Sequence, residues 1–70
     1  MSTRTFTAIL RREGGLYVAE CPEVGTVSQG VSIEDAIANL REATELYLEK
    51  STLPDADGPL ITTFDAVVHA

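Results

Sequence analysis

Apolar and polar positions alternate at the start of the chain. From residue 3 to residue 12, apolar Phe6, Ala8 and Leu10 are separated by positions that are mostly polar. This period of two residues is typical of a β-strand with one more apolar face. Gly14-Gly15 follows, and a glycine pair adopts the positive φ of a tight hairpin without steric cost. The β-forming run at residues 16–20 comes next, so the pattern predicts an antiparallel hairpin.

A third strand is predicted after a short turn. Pro22 has no N–H to donate to a ladder, so we expect the second strand to end near Cys21. The third strand is expected around Thr26-Val27-Ser28 and should close at Gly30. Alternation does not decide which face of the second strand is buried. The competing sets are Tyr17, Ala19 and Cys21 on one face and Leu16 and Val18 on the other.

The strongest local pattern predicts a helix from about Ile33 to Lys50. Ser32 is a good N-cap, Asp35 occupies the N3 position of a capping box, and Glu34 adds negative charge to the first turn. At 100° per residue one side of this helix is apolar and should cover a sheet. Its members are Ile33, Ala36, Ile37, Leu40, Ala43, Thr44, Tyr47 and Leu48.

The opposite side of the predicted helix is acidic. Glu42, Glu45 and Glu49 lie there, and Leu46 lies on the flank of this acidic face. An exposed leucine is either one of the scattered surface leucines found in every protein or an interface contact. Both interpretations of Leu46 stay open at this point.

The C-terminal third combines a loop and an expected last strand. Residues 51–59 contain most of the turn-forming residue types and predict a surface connection. Phe64, Ala66 and Val68 then alternate with Asp65, Val67 and His69, which predicts a fourth strand. The expected fold is a single α+β domain over residues 1–70. It has a three-stranded antiparallel meander, one helix and a fourth strand in the order β-β-β-α-β, with one sheet face uncovered.

Composition limits how such a domain is stabilised. Below about 70–80 residues a core seldom contributes more than ~3–5 kcal/mol without help, and this chain has 70. Cys21 is the only cysteine, so an internal disulfide and a multi-cysteine zinc site are both excluded. We therefore expect an oligomer, a dimer or tetramer, or a partner protein to add stability.

The net charge and the N-terminal sequence indicate which kinds of partner to expect. The formal net charge of −6 repels phosphate backbones, so direct nucleic-acid binding is not expected. The same charge favours encounter with a basic protein. The first residues lack the pattern of a signal peptide, and no apolar run approaches the ~20 residues that span a bilayer. We expect a cytoplasmic chain without a membrane partner.

The residues offer little catalytic chemistry. His69 is the single histidine and lies next to the C-terminal residue, where strands fray, so a catalytic triad is not expected. One Cys and one His are too few for zinc unless carboxylates complete the set. Carboxylates such as Glu20 and Asp65 could converge on Mg²⁺ in principle, but charge on a solvated surface explains them more simply. We expect no enzymatic activity, no cofactor and no metal.

Three segments together resemble a known family. They are the run Gly14-Gly15-Leu16-Tyr17-Val18-Ala19-Glu20-Cys21-Pro22-Glu23, the strand end Ser28-Gln29-Gly30, and the helix that opens with Ser32-Ile33-Glu34-Asp35-Ala36 and continues to Glu45-Leu46-Tyr47-Leu48. In this order they resemble the HicB-like antitoxins of type II toxin–antitoxin systems. The resemblance implies a truncated ribonuclease H-like fold without catalytic activity.

The resemblance also implies a partner and a mode of action. A HicB-like domain would bind a small basic HicA-type toxin, which cleaves mRNA, and would neutralise it by covering its active surface. HicB-like proteins usually form dimers or larger assemblies. Many also carry a C-terminal DNA-binding element, which is not expected here because the chain stops after the last strand. The alternative is a solitary HicB-like module without a toxin that acts as an assembly or regulatory subunit.

Physical reasoning supplies the candidate contact residues. Acidic side chains steer a basic partner, whereas affinity usually needs an apolar anchor. Leu46 is the candidate anchor. The full set of candidate partner-binding residues is Glu20, Glu23, Glu42, Glu45, Leu46 and Glu49.

Overall fold

Three strands and one helix form the body of the protein. The computed structural model describes residues 3–50 and 60–69. Its elements are β1 (Ile9–Glu13), β2 (Leu16–Cys21), β3 (Thr26–Gly30) and α1 (Ile33–Lys50). The strands form one antiparallel sheet in the order β1-β2-β3, and α1 packs mainly on β3 and β2. This confirms the predicted α+β class with a three-stranded meander followed by a helix.

Glycines set both strand connections. Gly14 has a φ of 61° in the β1–β2 hairpin, where Glu13 pairs with Leu16. Gly25 has a φ of 83° in the β2–β3 turn, and its N–H donates to the carbonyl oxygen of Cys21 at 2.8 Å. Residues with a Cβ adopt this left-handed region only at a cost. The hairpin predicted at Gly14-Gly15 is confirmed.

The helix begins where the capping pattern predicts. The Asp35 N–H donates to Oγ of Ser32 at 3.1 Å, so one free donor of the first turn is satisfied by the N-cap side chain. The Ala36 N–H donates to the carbonyl oxygen of Ser32 at 3.0 Å and starts the helical ladder. The predicted bounds, Ile33 to Lys50, are confirmed.

The structure decides which sheet face is inside. Ala19 and Cys21 are 0% and 1% exposed, and with Ala36 and Leu40 of the helix they form the buried core. Successive residues of a strand point to opposite faces, so Leu16 and Val18 lie on the outer face. No element among the described residues covers that outer face, as predicted. The core is small, because two of its four members are alanines.

The buried stripe of the helix is narrower than the apolar pattern predicts. Only Ala36, Leu40 and Thr44 are buried, whereas Ile33, Ile37 and Tyr47 are 45%, 36% and 44% exposed. The prediction that the whole apolar side covers the sheet is therefore wrong. The helix lies mainly over two strands, so the flanks of its apolar side extend past the surface it covers.

Both ends of the predicted strand pattern also differ. The first strand begins at Ile9 rather than near residue 3, because the Thr7 N–H is bonded to the side chain of Glu23 instead of a strand. Residues 60–69 are described and exposed throughout, and they contain no strand. The fourth strand predicted there is not formed, since a strand needs a paired neighbour to satisfy its backbone groups. The loop predicted at 51–59 lies outside the described residues.

Candidate partner interface

Four of the six candidate residues form one surface on the helix. Glu42, Glu45, Leu46 and Glu49 have the spacing i, i+3, i+4 and i+7, which places side chains on one helical face. All four are exposed, Leu46 by 56%. We call these four residues the helix patch. It presents one apolar side chain framed by three carboxylates.

Contacts between the helix and β3 fix the direction of the helix patch. Oγ1 of Thr44 lies 2.7 Å from Oγ1 of Thr26, and these two hydroxyls share a hydrogen bond beside the core. Nδ2 of Asn39 donates to the carbonyl oxygen of Gln29 at 2.8 Å. These contacts join α1 to the first and the fourth residue of β3. The helix patch therefore has a defined orientation relative to the sheet.

Gly30 allows the closest approach between helix and sheet. A Cβ at this position would lie 2.5 Å from the backbone nitrogen of Ala36 and 2.7 Å from the carbonyl carbon of Asp35. Both are backbone atoms, which cannot move aside as a flexible side chain can. Sequence reasoning identified Gly30 only as the end of a strand. Its position two residues before the N-cap was the signal that could have indicated packing against the first helical turn.

Glu20 lies on the other side of the molecule from the helix patch. It pairs in register with Ile9 and Val27 on the outer face of the sheet, away from α1. Its Oε1 is 3.9 Å from Nη1 of Arg11, and both side chains are well exposed. An exposed ion pair of this length contributes little to stability. Glu20 is thus accessible to a partner. A partner with one flat binding surface, however, could not contact Glu20 and the helix patch at the same time.

Glu23 is engaged within the chain. Its carboxylate accepts hydrogen bonds from the Thr7 N–H at 3.0 Å and the Thr7 hydroxyl at 2.8 Å, and Sγ of Cys21 lies 3.5 Å from Oε1. Partial burial alone would raise the pKa of the Glu23 carboxyl. The hydrogen bonds from Thr7, the Glu23 backbone and Cys21 outweigh that effect and hold the pKa below its ordinary value. The carboxylate ties the β2–β3 turn to the segment before β1.

An open groove runs between this N-terminal segment and the helix. Its volume is about 430 Å³. The apolar residues lining it are Phe6, Ala8, Cys21, Ile37, Leu40 and Leu48, and Arg4, Arg41 and Glu45 are polar members of its lining. Sequence reasoning missed this feature. Ile37 and Leu48, which the pattern placed against a sheet, line this groove instead, and their position on the apolar side of the helix was the signal that could have indicated it.

Within 3–50 and 60–69, no three or more His, Cys, Asp or Glu side chains lie close enough together to hold a metal ion. The helix in this part of the chain is not apolar enough over its length to cross a membrane.

Two curated proteins of Synechocystis sp. are similar to the chain. UPF0150 protein ssr1258 is 36% identical over 55 residues, which span 76% of this chain and 80% of that protein. The chain belongs to the UPF0150 family. UPF0150 protein ssr1765 is 48% identical over 46 residues, or 63% of this chain. This UPF0150 chain spans less than two thirds of that relative, since the match covers 58% of its length.

Two further comparisons gave no match. No protein-family model matches this UPF0150 chain, and no solved structure matches it significantly.

Proposed function

We propose that this UPF0150 chain is a HicB-like antitoxin-type domain that binds and neutralises a small basic mRNA-cleaving toxin of the HicA type. The observation that carries the proposal is the helix patch, in which Leu46 is exposed between Glu42, Glu45 and Glu49 on a chain of net charge −6. Membership of the UPF0150 family and the resemblance to HicB-like antitoxins support the same function.

The mechanism is stoichiometric covering rather than catalysis. A protein that cleaves RNA needs a basic surface to hold phosphates. The carboxylates of the helix patch attract that same basic surface and speed the encounter. Leu46 supplies the apolar contact around which the complex excludes water. The toxin is inhibited because its RNA-binding surface is occupied, and the domain needs no cofactor and acts in the cytoplasm.

The experiment measures inhibition of RNA cleavage by a purified HicA-type toxin as this chain is added. We expect inhibition to saturate at a fixed ratio of the two proteins. The double variant Glu42→Gln with Glu45→Gln should weaken binding at least tenfold at low salt and less at high salt, because the lost contacts are screened electrostatic ones. Leu46→Ala should weaken binding about tenfold at any salt concentration, which corresponds to ~1.4 kcal/mol.

A matched control separates the helix patch from net charge. The double variant Glu13→Gln with Asp65→Asn removes the same number of charges from exposed positions outside the candidate set and should change the affinity less than threefold. Equal weakening by both pairs would contradict a specific role of the helix patch. A chain that leaves RNA cleavage unaffected at any ratio would exclude the antitoxin function and favour the solitary module.

A further inference from the structure

The C-terminal arm, residues 60–69, is largely apolar and is not covered by any other residue that the structure describes. Leu60 is 100% exposed, Phe64 88% and Val68 86%. Large contiguous apolar surfaces on proteins commonly mark places where another molecule binds. The arm alternates apolar and other residues, as a strand does, although it forms no ladder. The arm thus has the sequence pattern of a strand but pairs with no strand within residues 3–50 and 60–69.

The body of the protein, which comprises β1–β3 and α1, has a strand edge that can accept another strand. β1 is an edge strand, and among the described residues it pairs only with β2. An edge strand presents a row of unpaired N–H and C=O groups that another strand can extend. The apolar groove lies between α1 and the N-terminal segment that leads directly into β1. A strand that pairs with β1 and continues along the segment before it would therefore also border the groove.

The arm matches the edge of β1 and the adjoining groove in polarity. If the arm extends β1, its alternation places Phe64, Ala66 and Val68 on the face of Leu10, which packs against the core. Asp65 and His69 then lie on the outer face, which also carries Arg11. A carboxylate and a guanidinium would be neighbours there. The groove of about 430 Å³ has room for apolar side chains from the arm.

A second copy of the chain can both cover the exposed arm and supply a strand for the edge of β1. The arm does not fill the groove of its own chain, since every residue of the arm is exposed. The radius of gyration is 14.4 Å, whereas a compact chain of this length has about 11 Å. Two copies that exchange arms cover two arms and two grooves around one twofold axis.

We propose that two copies of this chain exchange their C-terminal arms, each arm adding a fourth strand to β1 of the other copy and inserting Phe64 and Val68 into its groove. The exchange supplies core that a body of four buried apolar residues lacks. It does not rest on the proposed function, because it concerns the chain alone.

The first test is the mass of the full chain in solution, measured by light scattering over a range of concentrations. We expect twice the 7.5 kDa of one chain. Phe64→Asp should raise the dimer dissociation constant at least 100-fold, because it brings a charge into the groove. Val67→Asp is the matched control, since it adds the same charge on the outer face and should change the constant less than fivefold. A monomeric chain, or a dimer that Phe64→Asp leaves intact, would overturn the proposal.

The second test identifies which copy the arm contacts. A photo-crosslinking residue replaces Phe64, and chains labelled with ¹⁴N and ¹⁵N are unfolded together, refolded and irradiated. Exchange predicts crosslinked peptide pairs in which an arm of one label is joined to the N-terminal segment or α1 of the other label. Crosslinks only within one label would show that each arm folds back on its own chain, and the exchange would be excluded. Crosslinks between labels that avoid the groove would exclude it as well.

Discussion

The two sides of the helix are built differently. Towards β3 the helix closes tightly: Gly30 lets the backbones approach, Thr44 meets Thr26, and Asn39 bonds to the strand. Towards β1 the same helix leaves an open groove with Ile37 partly exposed. The contrast shows that one apolar helix face can be closely packed on its β3 side and remain partly exposed on its β1 side.

The polar groups on the two sides follow the same division. On the β3 side the hydrogen bonds join neutral groups, two hydroxyls and an amide with a carbonyl. On the β1 side the connection is a carboxylate, Glu23, which holds the Thr7 backbone where a strand partner is lacking. We therefore expect the stability of the β1 side to depend on pH and that of the β3 side to be nearly independent of it.

The largest effect should come from Leu40→Ala. Leu40 is 5% exposed, and its truncation removes apolar contacts and leaves a cavity in the small core, so we expect a loss of about 3 kcal/mol of unfolding free energy. Ile37→Ala, one turn away towards the groove, should cost about 1 kcal/mol. Urea unfolding in the Phe64→Asp background measures both without a contribution from the arm. Equal losses at the two positions would contradict the division into a closed and an open side.

Gly30→Ala should follow, with a loss of about 2 kcal/mol. The added methyl group meets backbone atoms of α1, so the strand end and the helix start must move apart. Gly15→Ala is the control, since a Cβ there meets nothing within 4 Å. Thermal unfolding should lower the midpoint by about 8–16 °C for Gly30→Ala and by a few degrees at most for the control. A harmless Gly30→Ala would mean that the β3 side is not closely packed.

Thr44→Val should cost about 1 kcal/mol. The substitution keeps the shape of a buried side chain but leaves the Thr26 hydroxyl without its partner. The double variant Thr26→Val with Thr44→Val removes both hydroxyls and should recover most of the loss, because no unpaired polar group remains. Urea unfolding of the two single variants and the double variant gives the coupling. Additive losses would indicate that the hydroxyls do not interact.

The smallest effect should come from Glu23→Gln, with a loss below about 1 kcal/mol near neutral pH. The folded chain lowers the pKa of the Glu23 carboxyl, so its stabilising effect is complete above the pKa of the unfolded chain. That effect disappears as the pH falls through the lowered pKa of the folded chain. Unfolding midpoints of the parent chain and the variant should therefore converge in acid. Glu42→Gln, an exposed mid-helix change, is the control, and a difference that persists in acid would contradict the role of Glu23.

Local chemistry in the sequence was sufficient for most of the fold. The glycine pair at 14–15, Pro22 and the Ser32 cap each act within a few residues, and the turns and helix bounds that they predict agree with the structure. The choice between the two faces of β2 could not be made from alternation, since both faces carry apolar residues. It was settled by the small side chains of Ala19 and Cys21, which let the helix approach.

Long-range contacts explain what the sequence did not reveal. Glu23 was predicted as a partner contact, and nothing near it in the chain indicates Thr7, which lies 16 positions away. Gly30 looks like any strand end until the helix folds back over it. The fourth strand has a suitable pattern, but a pattern does not specify the neighbour with which a strand pairs. The role of the helix patch depends on a second molecule and stays a prediction.

Cys21 gives the chain a built-in reporter of its own opening. Its thiol is the single cysteine of the sequence, is 1% exposed, and lines the apolar groove. A thiol-specific reagent can modify it only when the body opens, so the modification rate is proportional to the open fraction when closing is fast. A body that is 3 kcal/mol more stable than its open form would slow modification more than a hundredfold relative to a free thiol. The rate at which a thiol reagent labels the unaltered chain thus reports how often the structure opens around Cys21, without any introduced cysteine.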